Sequence, residues 1–177
     1  MHILALSGSL RRASTNTALL QALAVHAGPS HAVTVFSGLA DLPAFNPDRE
    51  GPHTPASVLA FARAVDLADG LIVSCPEYVH ALPGSFKNAI DWLVSRTEII
   101  GKPIALLHAT HRGDDVLSDL RRVLATVSDR FTPDIFAQFN LRSLTPEAIA
   151  EDLARPEQAA RIQTFLNDFA AFIGVGD

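Results

Sequence analysis

The segment Gly70-Leu-Ile-Val-Ser-Cys75 is apolar at almost every position, with Asp69 before it and Pro76-Glu77 after it. A strand with one face in water alternates apolar and polar residues, whereas a strand covered on both faces shows no such alternation. Short apolar runs of this kind are typical of a parallel sheet with helices packed on both sides. The segment therefore predicts an α/β fold.

Four further apolar runs on the chain share this character. Together they give the predicted strands Ile3–Leu6, Ala32–Phe36, Leu71–Val73, Ile104–Leu107 and Ile135–Phe139. Between them, apolar residues recur every three or four positions, as the buried face of a helix requires. These positions are Leu19 and Leu23; Leu59, Ala62 and Val65; Phe86, Ala89, Ile90, Leu93 and Val94; and Leu117, Leu120, Val123 and Leu124. The alternation predicts a three-layer, doubly wound sheet of five parallel strands in a single domain, residues 1–177.

The C-terminal segment is predicted to be helical. Thr145-Pro146-Glu147 indicates a helix start, because threonine caps helices and proline fits the first helical position. A final helix then carries Ile162, Phe165, Leu166, Phe169 and Ile173. The longest irregular stretch, 37–51, contains Pro43 and Pro47 and is expected to run over the surface.

Composition and charge restrict the class of protein. Apolar residues make up 48% and charged residues 19% of the chain, close to ordinary globular averages. The net charge of -5 argues against a nucleic-acid partner, because such proteins carry a broad positive surface. The single cysteine and the lack of a basic-then-apolar leader favour a reducing cytoplasm. No apolar run approaches the roughly 20 residues that cross a bilayer, so we expect a cytoplasmic protein without a membrane partner.

Ligands of a doubly wound sheet bind beyond the carboxyl ends of the strands, so the loops after Leu6, Ser74 and His108 form the candidate site. The first loop crowds hydroxyl groups and arginines before a helix start, which offers unpaired N–H groups and the positive end of the helix dipole. Its candidate phosphate ligands are Ser9, Arg11, Ser14, Thr15 and Asn16. This donor set suits a phosphate monoester, although the same residue types also serve as plain helix caps.

Other site chemistries fit less well. The first loop has one glycine where the dinucleotide fingerprint needs three, and it lacks the Gly-Lys-Ser/Thr of nucleoside-triphosphate loops. His108, His111, Asp114 and Asp115 offer ligands for zinc, but their spacing is weak and solvated loop residues are the simpler interpretation. Cys75 lies on the wrong loop for a cysteine phosphatase, and the Gly-x-Ser-x-Gly motif of serine hydrolases is missing.

Three blocks of sequence resemble the NADPH-dependent FMN reductase family, which includes quinone, azo-dye and chromate reductases. The blocks are Gly8-Ser-Leu-Arg11 with Ser14 and Asn16; Leu42-Pro43 with Asn46-Pro-Asp48; and Pro76-Glu-Tyr78 with Pro83-Gly84 and Lys87-Asn-Ala-Ile-Asp-Trp92. The resemblance covers roughly residues 1 to 130 and implies a flavodoxin-like sheet with strand order 2-1-3-4-5. It further implies that the first loop binds the FMN phosphate.

The resemblance also implies roles for the other two loops. The second loop, with Pro76, Glu77, Tyr78 and Val79, is expected to lie along the isoalloxazine ring and to present backbone N–H groups. Thr110 and His111 are expected to line the site from the third loop. The family usually has asparagine where this chain has Val79, and its third loop is longer and richer in glycine. These departures bear on FMN affinity and on the nicotinamide pocket.

The function implied by this resemblance is that of an NAD(P)H-dependent FMN-containing oxidoreductase. Hydride would pass from NADPH or NADH to FMN and then to a small-molecule electron acceptor by a ping-pong mechanism. No catalytic side chain is required, because the flavin carries the chemistry. Family members are usually dimers or tetramers, so we expect a homodimer or homotetramer. The alternative is a flavodoxin-like electron carrier that binds FMN but does not itself oxidise NAD(P)H.

Overall fold

The structure is a computed structural model and describes residues 1–28 and 31–175. Its strands are β1 (His2–Ser7), β2 (Ala32–Phe36), β3 (Gly70–Ser74), β4 (Ile104–His108) and β5 (Phe131–Gln138). Its helices are α1 (Thr15–His26), α2 (Ala56–Asp66), α3 (Gly84–Asp91), α4 (Asp114–Val127), α5 (Pro146–Leu153) and α6 (Pro156–Gly174). Three short 3-10 helices, Gly38–Asp41, Pro47–Arg49 and Gly51–His53, lie between β2 and α2.

The five strands form one parallel sheet in the order β2-β1-β3-β4-β5, as predicted. Winding reverses between β1 and β3, and Ser7 at the end of β1 lies directly beside Ser74 at the end of β3. The loops that follow these two strands therefore leave the sheet side by side. This is the edge at which doubly wound sheets bind their ligands.

Both faces of the sheet are buried. Along β3, Leu71 and Val73 pack into one apolar layer, with α2, α3 and α4. Ile72 points to the opposite face and packs with α1, α5 and α6. All five residues of β3 are buried, which explains why this segment shows no alternation of apolar and polar residues.

Strand β5 begins earlier than predicted, at Phe131 instead of Ile135, and ends at Gln138. The strand contains Pro133, although proline cannot donate a hydrogen bond to a neighbouring strand. An edge strand tolerates it, and β5 is the edge strand next to β4. The register also shifts between Ile104 and Leu106 of β4. Phe139 follows the strand and is buried in the core.

Two predicted helix faces were partly wrong. Helix α3 ends at Asp91, and the chain then tightens into turns, with Leu93 N donating to Ile90 O over 2.9 Å. Val94 lies beyond the helix and is 65% exposed. In α2, Leu59 is also exposed, and its neighbour Val58 occupies the buried face instead.

The C-terminal segment contains two separate helices, whereas the sequence predicted a helix start at Thr145 followed by one final helix. Thr145 caps α5 as predicted, because its Oγ1 accepts a hydrogen bond of 3.3 Å from Ala148 N. A new helix, α6, opens at Pro156 and carries the five predicted apolar residues, all buried. Across the described ranges, none of the helices is both long enough and apolar enough to cross a membrane.

Candidate functional site

A cleft of about 470 Å³ lies at the carboxyl edge of the sheet. It is lined by residues from the loops after β1, β3 and β4, and from the segment after β5. Six of the residues predicted from sequence line it, namely Arg11, Thr15, Asn16, Pro76, Glu77 and Thr110. The structure thus brings the three predicted loops together at one place.

The first loop is stabilised by hydrogen bonds to its own hydroxyl groups. Ser9 N donates to Ser7 Oγ, and Arg11 N donates to Ser9 Oγ, each over 3.3 Å. The Ser7 and Thr17 hydroxyl oxygens are 2.7 Å apart and hydrogen-bonded. These bonds fix the backbone of the loop, while the Arg11 side chain extends into the cleft.

Helix α1 begins directly after this loop, at Thr15. Ser14 is its N-cap, since Ser14 Oγ accepts a hydrogen bond of 3.2 Å from Thr17 N. Within residues 1–28 and 31–175, no acceptor lies on the backbone N–H groups of Thr15 and Asn16. Asn16 Oδ1 accepts a buried hydrogen bond of 2.8 Å from Ser74 Oγ, which anchors α1 to the end of β3. The first turn of α1 therefore presents free N–H groups to the cleft.

The first and second loops touch at Gly8 and Cys75. Gly8 N donates to Ser74 O over 2.9 Å, and a Cβ atom on Gly8 would lie 2.2 Å from Cys75 Sγ. Only glycine permits this approach. Burial raises the pKa of the Cys75 thiol far above its usual range. Cys75 is therefore a neutral packing residue and not a thiolate nucleophile.

The second loop makes a tight two-residue hairpin at its tip. Tyr78 and Ala81 exchange backbone hydrogen bonds of 3.0 and 3.1 Å. Val79 and His80 between them have φ angles of 53° and 58°, the left-handed values that such a turn demands. Tyr78 is about half exposed and Val79 is 95% exposed. Neither of these two predicted residues lines the cleft.

The second loop is also attached to helix α4. Glu77 Oε2 accepts a hydrogen bond of 3.1 Å from Val116 N in the first turn of α4, as a capping carboxylate does. His80 Nδ1 lies 2.6 Å from Asp115 Oδ2. Glu77 is partly buried, and its carboxylate fixes the second loop on α4.

The third loop is organised by His108. This residue is buried, and its Nε2 donates to Arg112 O over 2.6 Å. Burial lowers the pKa of His108 below the ordinary histidine value, so the ring is neutral at pH 7. Gly113 has a φ of 100°, and a Cβ there would lie 3.2 Å from His108 Nε2. A glycine is thus required where the loop turns into α4.

The zinc hypothesis for the third loop finds no support in this geometry. In the part of the chain that the structure describes, His108, His111, Asp114 and Asp115 do not form a common ligand cluster. His108 already donates to a carbonyl, and Asp115 contacts His80 of the second loop. His111 lies on a neighbouring cavity of about 450 Å³, with Thr110 at the junction of that cavity and the cleft.

Sequence reasoning missed Arg112, Arg142 and Ser143, which also line the cleft. Arg142 and Ser143 follow β5, and Leu141 N donates to Ala109 O over 3.2 Å, which holds this segment beside the third loop. The signal was available, because the rule that selected the loops after β1, β3 and β4 applies equally to the fifth parallel strand. Of the other predicted residues, Ser9 and Ser14 do not line the cleft, and their hydroxyl groups accept hydrogen bonds from Arg11 N and Thr17 N.

Comparison with known proteins gives consistent matches. The model of the family described as NADPH-dependent FMN reductase matches residues 1–140. A quinone reductase of Escherichia coli K12 is 35% identical over 109 residues, 60% of this chain and 58% of that protein. An NAD(P)H-dependent FMN reductase of Pseudomonas aeruginosa is 36% identical over 110 residues, 61% of this chain and 59% of that protein. The chain thus spans less than two thirds of the length of these relatives.

Solved structures extend the match along the chain. The flavoenzyme NAD(P)H:(acceptor) oxidoreductase FerB from Paracoccus denitrificans has a TM-score of 0.75 at 25% identity, covering 98% of this chain and 97% of its own. The apo form of an NADH:FMN oxidoreductase has a TM-score of 0.65 at 22% identity, covering 95% and 87%, and supports the fold alone. Since the family model covers most of the 177 residues and both the fold and the loops agree with it, the chain belongs to the NADPH-dependent FMN reductase family.

Proposed function

We propose that this chain is an NAD(P)H-dependent, FMN-containing oxidoreductase that reduces a small-molecule acceptor such as a quinone or an azo dye. The family membership supports the enzyme class and the cofactors. The observation that carries the proposal is the set of unpaired donors around the first turn of α1. This set faces a cleft bounded by the second and third loops.

The donor set fits an FMN phosphate. The free N–H groups of Thr15 and Asn16 lie at the positive end of the helix dipole, which favours an anion. Arg11 adds a guanidinium group that forms no ion pair with any residue in the described ranges. A guanidinium group can bind a phosphate through two parallel hydrogen bonds. Together these groups can balance a monoester that carries nearly two negative charges.

We assign the remaining predicted residues to the flavin ring. Pro76, Glu77, Tyr78 and Val79 would border one side of the ring, and Thr110 and His111 the other. Glu77 acts by holding the second loop on α4, so that the loop keeps its shape when ligands exchange. No side chain is needed as general acid or base, since bound FMN supplies the hydride-accepting and hydride-donating chemistry.

The proposed kinetic order is ping-pong. In this order the nicotinamide leaves before the acceptor occupies the same face of the flavin. With a quinone as acceptor, double-reciprocal plots of the initial rate against the quinone concentration, recorded at several NADPH concentrations, should then give parallel lines. Intersecting lines would contradict this order. Absence of NADPH oxidation by the FMN-loaded protein would favour the electron-carrier alternative instead.

We also propose a homodimer or homotetramer of single flavodoxin-like domains in the cytoplasm. Support comes from Leu10 and Tyr78, which are about half exposed, and from the almost fully exposed Val79. These apolar side chains stand on the two loops that border the cleft, and a second copy would cover them. Sedimentation of the FMN-loaded protein at micromolar concentration measures the assembly, and a monomer would contradict it.

The test of the FMN site is a titration of the apoprotein with FMN, followed by quenching of flavin fluorescence. Arg11→Ala should weaken binding by about 1.5 to 3 kcal/mol, the range for a hydrogen bond to a charged group. Arg63→Ala serves as the matched control, because Arg63 is exposed on α2 and does not line the cleft. Equal affinities for the parent and Arg11→Ala would show that the phosphate is bound elsewhere.

A further inference from the structure

We propose that Arg112 and Arg142 form a second anion subsite, which binds the 2′-phosphate of NADPH and makes NADPH the preferred hydride donor over NADH. This inference rests on the proposed function and names the residues that select its substrate.

The cleft holds more positive charge than one phosphate requires. Arg11, Arg112 and Arg142 all line it, and none forms an ion pair with a residue of the described ranges. The only carboxylate in the lining is Glu77, which is engaged by Val116 N. Arg11 and the first turn of α1 suffice for the FMN phosphate. Two guanidinium groups therefore remain for another anion.

The shape of the site separates these two arginines from Arg11. A second cavity of about 450 Å³ adjoins the cleft. Both cavities are lined by Thr110, Arg112, Arg142 and Ser143, whereas Arg11 lines only the first. His111 and Asn140 complete the second cavity, and no carboxylate lines it. The junction between the two cavities is thus lined by hydrogen-bond donors, and Arg11 and the first turn of α1 do not line the second cavity.

The backbone of Arg112 is held by hydrogen bonds at both its N–H group and its C=O group. Arg112 N donates to Thr110 Oγ1 over 3.2 Å, and Arg112 O accepts from His108 Nε2 over 2.6 Å. The side chain itself is exposed. An anchored backbone with a free guanidinium group lowers the entropy cost of binding an anion.

Arg142 is presented by a strained turn. Leu144 N donates to Leu141 O over 3.2 Å, which closes a four-residue turn with Arg142 and Ser143 at its corners. Ser143 has a φ of 68°, a left-handed value that costs a serine free energy. Phe139 N also donates to His108 O over 2.8 Å, so the segment is fixed to the end of β4. Such strain is typical of residues that bind ligands.

The chemistry of the two hydride donors indicates that the 2′-phosphate is the anion bound here. NADPH differs from NADH only by this monoester, which carries nearly two negative charges. The pyrophosphate that both nucleotides share spreads its two charges and four free oxygens over two phosphorus atoms, whereas the monoester carries nearly two charges and three free oxygens on one. Two guanidinium forks match this concentrated charge best. Loss of that match should therefore affect NADPH and spare NADH.

The experiment compares the parent with Arg112→Ala and Arg142→Ala, all loaded with FMN. We expect each substitution to lower kcat/KM for NADPH about tenfold or more relative to kcat/KM for NADH. Arg63→Ala is again the matched control. In parallel, calorimetry with adenosine 2′,5′-bisphosphate should show binding to the parent that either substitution weakens about tenfold. Adenosine 5′-monophosphate and inorganic phosphate should bind far more weakly.

Each contrary result has a distinct meaning. An equal fall in kcat/KM for NADPH and NADH would assign the arginines to the shared pyrophosphate and overturn the proposal. Weaker FMN binding in either variant would assign them to the flavin phosphate, with the same consequence. Equal binding of inorganic phosphate and the bisphosphate would indicate a general anion site and also overturn it. Failure of the proposed function is separate, since it would appear as missing FMN binding or NADPH oxidation in the parent.

Discussion

Gly8 is the residue at which the first two loops of the site approach each other most closely. Gly8→Ala would place a methyl group 2.2 Å from Cys75 Sγ and 3.0 Å from Cys75 Cβ. Because both atoms belong to a buried side chain, one of the loops must move. We expect the free energy of unfolding to fall by about 1 to 3 kcal/mol, as for other overpacked cores. Urea denaturation measures this change.

Gly84→Ala is the control for Gly8→Ala. A Cβ on Gly84 would meet no atom within 4 Å, and alanine is a better helix former than glycine. This substitution at the start of α3 should therefore leave stability unchanged or slightly raised. Equal effects of the two substitutions would contradict the proposed role of the contact between Gly8 and Cys75.

Val79 holds a backbone conformation that β-branched residues disfavour. Its φ of 53° falls in the left-handed region, where asparagine is tolerated far better than valine. Its side chain is 95% exposed, so little packing is lost on substitution. Val79→Asn should raise the free energy of unfolding by about 0.5 to 1 kcal/mol.

The comparison for Val79→Asn is Val94→Asn. Val94 is also largely exposed but does not have a positive φ, so the same change of side chain relieves no backbone strain there. Thermal denaturation of both variants measures the difference. A gain of the same size at Val94 would show that polarity, and not backbone strain, limits stability at Val79.

At the scale of the elements, α3 fixes the irregular segment that precedes α2. Asn88 Oδ1 accepts from Phe45 N over 2.8 Å, and Asn88 Nδ2 donates to Pro43 O over 3.0 Å. Trp92 Nε1 donates to the same carbonyl over 2.8 Å. Two sequence blocks that carry the family resemblance are thus joined by one amide side chain.

Asn88→Ala should destabilise this attachment by about 1 to 3 kcal/mol, because Phe45 N–H then loses its acceptor in a partly buried position. Asn167→Ala is the matched control, since Asn167 is exposed on α6 and accepts only from Gln163 Nε2. Denaturant unfolding compares the two variants. The attachment would be unimportant if both variants had the stability of the parent.

The elements that sequence predicted well are those in which local pattern and tertiary burial agree. Strand β3 is apolar because both of its faces are covered, and Ser14 is a good cap in any context. Strand β5 was placed too late, because its first four residues, Phe131-Thr-Pro-Asp134, do not form an apolar run and contain a proline that an edge strand tolerates. Arg142 was missed because the segment after β5 was not counted among the loops at the carboxyl edge, although β5 is the fifth parallel strand of the sheet.

At the scale of the whole molecule, the site consists of four chain segments that sequence separates by up to about 130 residues, from Arg11 to Arg142. Their only common support is the carboxyl edge of the sheet. Buried polar contacts attach these segments to the sheet. The main ones are the hydrogen bonds from Ser74 Oγ to Asn16 Oδ1 and from His108 Nε2 to Arg112 O. Conditions that disturb these contacts should therefore destabilise fold and site together.

Acid should have this effect through His108. Burial lowers the pKa of His108 in the folded protein, whereas the unfolded chain keeps the ordinary value of about 6.5. Below that value the unfolded state binds the proton first, so folding stability falls as the pH drops towards the folded pKa. Above it both states are neutral, and His108 has no effect on the slope. One such group contributes at most about 1.4 kcal/mol per pH unit.

The measurement is the free energy of unfolding at pH 7.5, 6.5 and 5.5, for the parent and for His108→Gln. Glutamine cannot be protonated in this range, but its amide can still donate to Arg112 O. We expect the variant to lose less stability than the parent between pH 6.5 and 5.5, whatever its stability at pH 7.5. The parent and the variant differ only at residue 108, so the difference between their pH profiles reports on His108. Identical pH profiles would mean that His108 is protonated as readily in the folded protein as in the unfolded chain.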